Sequence, residues 1–128
     1  MREAVERALL AFDWGEALVA LNVCVKPAFD AVVLVGLADS GRARGDSLLG
    51  ALTASLLADS RWHREWTRSV VATVGPAHVA TFSEWVRYWR PLARAAVAAF
   101  EPLLGRATID RAGAWCTEQI RVFGLEAA

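Results

Sequence analysis

Between Ala17 and Ala38 almost every side chain is apolar, and the polar exceptions stand four apart: Asn22, Lys26 and Asp30. On a helix these three form one narrow polar stripe along an otherwise apolar cylinder. Such a helix is buried on most sides, either at the centre of a bundle or in a membrane. Lys26 and Asp30 separate the two cases. Each would cost about 2.5–3.5 kcal/mol at a bilayer centre, and Pro27 suits an isolated span poorly. The stretch from Asp13 to Asp39 therefore reads as the hub of a helical bundle, its stripe facing a partner group or a thin seam of solvent. Pro27 removes one backbone donor and should bend the hub.

The remaining segments supply helices to pack around it. Residues Arg2 to Phe12 read as helix, with Val5, Leu9 and Phe12 on one side and Glu3, Glu6 and Arg7 on the other. Asp13 offers an N-cap with Glu16 as capping-box partner, so a kink or a new helix is expected there, with a continuous helix as the alternative. Ser40 to Gly45 reads as a basic, glycine-bounded loop, with Gly41 as left-handed C-cap. A phosphate cradle there would need a Walker lysine and a preceding strand, and the sequence has neither.

Asp46 or Ser47 caps a helix running to Val74, with Leu48, Leu52, Trp62, Trp66, Val70 and Val74 at helical spacing. Arg61, Arg64 and Arg68 fall on other faces and read as solvated. Gly75-Pro76 should stop that helix. The next begins at Pro76 or at the capping box Thr81 to Glu84. Its apolar stripe is Phe82, Val86, Trp89, Ala93, Ala96, Val97, Phe100 and Leu104, with a bend expected near Arg90 from Pro91. Thr108 caps a last helix through Phe123, with Ile109, Ala112, Trp115, Gln119 and Val122 along it and Gly124 closing it. No strand pattern and no fixed-period repeat is present. The fold class is all-α, one domain over residues 1–128.

Composition narrows the function. Hydrophobic residues make up 55% of the chain and six are tryptophan, an excess that small domains often place in a subunit interface. Fourteen basic and fourteen acidic residues cancel, so no global field draws nucleic acid or anionic lipid. Cys24 and Cys116 lie on separate helices without metal-type spacing and read as free thiols of a cytoplasmic protein. Met1 leads straight into a charged amphipathic segment, so no signal peptide is expected.

The chemistry these residues allow is limited. A di-iron site in a helical bundle takes a Glu from each of two helices and a Glu-x-x-His from each of two others. The only histidines are His63 and His78, and neither follows a Glu at that spacing. Glu16, Glu65, Glu84, Glu101 and Glu118 are scattered. Asp59 and His63 share a helix face, but two ligands do not close a metal site; an ion pair or hydrogen bond is the simpler reading. No nucleophile motif accompanies either histidine. The Trp62/Trp66 and Trp85/Trp89 pairs suit core or interface packing, with an aromatic ligand pocket as the alternative.

An Asp-Trp-x-Glu opening at Asp13 to Glu16, a Val-Ala-x-Asn core at Val19 to Asn22 and an Asp-x-x-x-His-x-x-Trp segment at Asp59 to Trp66 occur together. With Arg87 to Phe100 around Trp89 and Pro91, they resemble the β subunit of the hydroxylase component of bacterial multicomponent di-iron monooxygenases, the toluene, phenol, propane and soluble methane enzymes. The likeness covers roughly Glu6 to Phe123 and only the C-terminal half of family members, which are more than twice this length. It implies a ferritin-like helical bundle without metal ligands, packed against an α subunit that holds the di-iron centre. A small γ subunit, a reductase and a regulatory protein complete the implied complex. No catalytic, cofactor-binding or metal-binding residue transfers to this chain. The competing expectation is a stand-alone bundle that self-associates or binds a small apolar ligand.

Overall fold

The computed structural model describes residues 2–125, apart from the side chains of residues 75 and 76. Met1, on which the signal-peptide expectation rests, and the last three residues of the expected 1–128 domain lie outside that range. Every regular element among the described residues is helical. Helix α1 spans Arg2–Leu9 and the hub, α2, spans Trp14–Arg44. Helix α3 is Ser47–Ala98, α4 the single turn Glu101–Leu104, and α5 Arg106–Val122.

The hub alternates between two helical geometries. Wide π turns occupy Val19–Val25 and Asp30–Val35, and ordinary α turns lie before, between and after them. Pro27 sits in the short α segment Lys26–Phe29. Its ring opposes the carbonyl four residues back, and the wide turn immediately before it absorbs that conflict while the helix runs on. Asp13 caps the hub as expected, its Oδ1 accepting from the backbone N–H of Gly15 at 2.7 Å and of Glu16 at 3.2 Å. Glu16 does not return the bond: its carboxylate accepts from the Trp89 indole instead, at 3.1 Å. The hub also outlasts its expected end. The stretch Ser40 to Gly45 is helical to Arg44, and the left-handed closing residue is Gly45, at φ 71°. Gly41 serves close approach: a Cβ there would stand 3.2 Å from the Leu49 side chain.

Helix α3 is helical without interruption from Ser47 to Ala98, Pro76 and Pro91 each removing one donor from its ladder, yet it cannot be straight. Arg64 lies over Trp115 of α5, and Arg90 bonds Thr117 of the same helix. On a straight helix Arg64 and Arg90 would be roughly 39 Å apart, whereas Trp115 and Thr117 are separated by roughly 3 Å along their axis. The chain therefore folds back between Val71 and Phe82, both core residues. The Gly75-Pro76 pair lies in that interval, so the expected stop is a change of axis without a loop. The first arm, 47–74, runs antiparallel to the hub, with Leu49 beside Gly41 and Ser60 beside Asp30. The second arm, 77–98, runs parallel to it, with Trp85 beside Gly15. Thr81 to Glu84 lies inside this helical run and caps nothing.

Helix α5 closes the bundle. It starts at Arg106 after Gly105, whose φ of 81° and ψ of 153° suit glycine alone; Thr108 is already inside the helix and is not its cap. Gly124, at φ 68°, ends it. The core joins Val19, Val23 and Val32 of the hub to Phe82, Val86, Trp89 and Val97 of the second arm and Ile109, Ala112 and Ile120 of α5. The second-arm stripe is thus the one read from sequence.

The first arm is turned the other way. Leu48, Leu52, Trp62 and Trp66, read as a packing face with core or interface open for the tryptophans, are exposed, while Thr53, Ser60, Thr67 and Val71 face the hub. Thr53 and Thr67 donate to the carbonyls of Leu49 and His63, each at 2.8 Å. Their hydroxyls are satisfied within the helix, which leaves small surfaces against a hub rich in bulky Val and Leu. Helix α1 differs as well: it ends at Leu9, buries Ala4 and Ala8, and leaves Leu9 and Phe12 in solvent.

Candidate functional site

Among the described residues, the polar stripe of the hub is where a charged side chain, Asp30, is buried. Asp30 is 5% exposed. Its Oδ2 accepts from the Lys26 ammonium at 2.6 Å and from the Ser60 hydroxyl. The Ser60 oxygen in turn accepts from Lys26 at 3.4 Å and from the Arg64 guanidinium at 2.8 Å. Arg64 lies 5.0 Å from the centre of the Trp115 ring. Burial lowers its pKa, and the Asp30 carboxylate partly offsets this. The partner group expected opposite the stripe is therefore Ser60 with Arg64. Arg61 and Arg68 are exposed as read, but Arg64 is not a solvated bystander. Lys26 and Ser60 both donate to Asp30 Oδ2, and through Ser60 and Arg64 this cluster ties hub, first arm and α5 together.

The other candidates stay apart. Asp59 and His63 are both exposed, and no hydrogen bond or ion pair joins them; the expected pairing does not form. His63 meets the edge of Trp62 at 5.3 Å, and His78, on the other arm, stacks on Phe82 at 6.3 Å. Glu16 is held by Trp89, Glu101 reaches Arg106 at 3.4 Å, and Glu118 pairs with Arg121 at 2.7 Å. Glu65 and Glu84 face solvent. Among the described residues no three His, Cys, Asp or Glu side chains converge on a metal position. The residues present do not fit a carboxylate-bridged di-iron group, which draws on acids and histidines of four helices. Cys24 and Cys116 are free thiols.

The two tryptophan pairs have separate fates. Trp89 is buried and Trp85 packs on the core, whereas Trp62 is 64% and Trp66 48% exposed. With Leu48, Leu52 and Leu56 they form an apolar stripe on the outer face of the first arm. A second apolar group, Leu9, Leu10, Phe12 and Trp14, is exposed at the α1–hub junction.

The model of the methane/phenol/alkene hydroxylase family matches residues 1–75, more than half of the chain. The chain belongs to this family. The β subunit of the hydroxylase component of the toluene-4-monooxygenase system from Ectopseudomonas mendocina is 38% identical to it over 106 residues. That alignment takes in 81% of this chain and 32% of the relative, so the chain spans about a third of its relative's length. Within the hydroxylase family its likeness is thus to a β subunit, and its all-helical bundle is of the ferritin-like kind. The family motifs have structural work in this fold: Asp13 caps the hub, Glu16 holds Trp89, and Val19 is core. Sequence reading overlooked Ser60 as the partner of the Lys26–Asp30 pair. Its only signal was the seven-residue recurrence Thr53, Ser60, Thr67 on one face of the arm.

Proposed function

We propose that this chain is a non-catalytic structural subunit, or part of one, of a di-iron hydrocarbon monooxygenase hydroxylase. Its role is to pack against the iron-bearing α subunit and hold that subunit's helices in a dry, fixed arrangement. The observation that carries this reading is the 38% identity to a hydroxylase β subunit along most of the chain. Two features support it. The core cluster of the described residues is made of aliphatic, small and aromatic side chains and contains no carboxylate, whereas a di-iron protein of this type draws inward-facing carboxylates from its helices. An exposed row of leucine and tryptophan side chains on the first arm suits a large partner surface. The di-iron cofactor belongs to the partner in this reading. The γ subunit, reductase and regulatory protein join through the assembled complex, and the setting is the cytoplasm.

Co-expression tests the proposal. The partner to use is a neighbouring reading frame with two Glu-x-x-His motifs. The expected result is co-elution of the two chains, with iron present only when that partner is. Isolation as a monomer at high concentration with two iron ions per chain, or substrate turnover by this chain unaided, overturns the proposal.

A further inference from the structure

A crevice of about 170 Å³ opens between the hub, the second arm and α5. Its floor is apolar and buried: Cys24, Ala28, Val97, Ile109 and Ile120. Its rim is polar, with Arg90, Arg94, Asp110 and Thr117. The rim carries uncompensated positive charge. Asp110 is engaged by Arg106 through contacts of 3.1 and 3.3 Å. Arg90 donates to the neutral Thr117 hydroxyl at 3.1 Å, and no hydrogen bond or ion pair to Arg94 is present among the described residues. The space is of ring size, since an apolar cavity of about 150 Å³ holds benzene. A guanidinium fork binds a carboxylate through two parallel hydrogen bonds.

We infer that this crevice binds a small amphipathic carboxylate, of about six carbons or one ring. The tail lies over the Cys24, Val97 and Ile120 floor, and the carboxylate rests on Arg94 with Arg90 beside it. Cys116 also lines the crevice, and its thiol and that of Cys24, both raised by burial to about 12, are neutral neighbours for an apolar tail.

Hexanoate, hexanol and hexylammonium titrated into the purified 128-residue chain, with methyl resonances of Val97, Ile109 and Ile120 followed by NMR, test the inference. Hexanoate is expected to shift these methyls saturably, and hexylammonium is not. Arg94→Gln is expected to weaken hexanoate by about tenfold, the lower end for one hydrogen bond to a charged group, and to leave hexanol unchanged. Gly113→Leu supplies a blocking variant on the crevice wall. A Cβ at Gly113 meets nothing within 4 Å, so the side chain enters open space and the helix is kept. It is expected to abolish the shifts. Absence of methyl shifts, equal response to hexanoate and hexylammonium, or undiminished binding in Gly113→Leu overturns the site.

Discussion

Asp30 shows how one buried acid is made tolerable. Its charge is met by Lys26 one turn earlier and its remaining demand by Ser60 from another helix. Removing one member of a buried pair leaves the other uncompensated, a loss of roughly 3–5 kcal/mol when both are fully buried. Lys26 keeps 33% of its side chain in solvent, so Asp30→Ala is expected to destabilise by a smaller amount, about 2–3 kcal/mol, read as a shift of the urea midpoint at constant m-value. The Lys26→Met, Asp30→Leu double variant should recover most of that loss. The thiols give a pH prediction. Burial raises Cys24 and Cys116 from the ordinary 9.0 to about 12 in the folded chain. The folded state therefore binds these protons more tightly than the unfolded state does. Their contribution is complete below pH 9 and is lost as pH rises from about 9 towards 12. Urea midpoints at pH 8 and pH 10.5 should fall more steeply in the native chain than in the Cys24→Ala, Cys116→Ala variant. Equal slopes would contradict this.

At the scale of the element, two glycines on either side of one helix boundary should behave oppositely. Gly105 holds a φ of 81° and ψ of 153° at the start of α5, a region closed to side chains. Gly105→Ala is expected to cost about 2–3 kcal/mol. Gly113 lies inside α5 with open space at its Cβ position, so Gly113→Ala should stabilise by about 1 kcal/mol through helix propensity alone. Chemical denaturation of the two single variants checks both signs. Helix boundaries were the part that local signals placed least well. Gly41 has the composition of a C-cap, but its position against Leu49 keeps the helix going to Gly45, where no neighbour competes with the left-handed turn. Thr81 to Glu84 has the letters of a capping box, but its N–H groups already have helical partners from the preceding turn. Local signals say where a helix is able to end; packing selects among those places.

The outward stripe on the first arm belongs to the scale of the whole molecule. Leu48, Leu52, Trp62 and Trp66 are spaced as a core face would be, and among the described residues they remain exposed. If they seat the α-type partner, Trp62→Glu with Trp66→Glu is expected to weaken co-purification at least about thirtyfold, the effect of losing a central aromatic anchor of 2 kcal/mol or more. Far-UV circular dichroism should be unchanged, because neither side chain contributes to the bundle core. Full complex formation by that variant would move the interface elsewhere, the α1–hub junction with Phe12 and Trp14 being the next surface to test.

Periodicity and composition alone settled the all-helical class, the presence of a central apolar helix capped by Asp13 and the buried face of the second arm. Each of these is a local or compositional property: a residue's period, or a count of residue types. Which face of the first arm turns inward depended on what it had to pack against. A hub crowded with Val and Leu accepts Thr53, Ser60 and Thr67, whose hydroxyls bond to their own helix or to Asp30, and rejects Leu and Trp of equal periodicity. The fold-back of α3 and the charged crevice beside α5 likewise exist only once distant segments meet. Side-chain volume and hydrogen-bond partnership across elements decided them, and a single strand of letters carries neither.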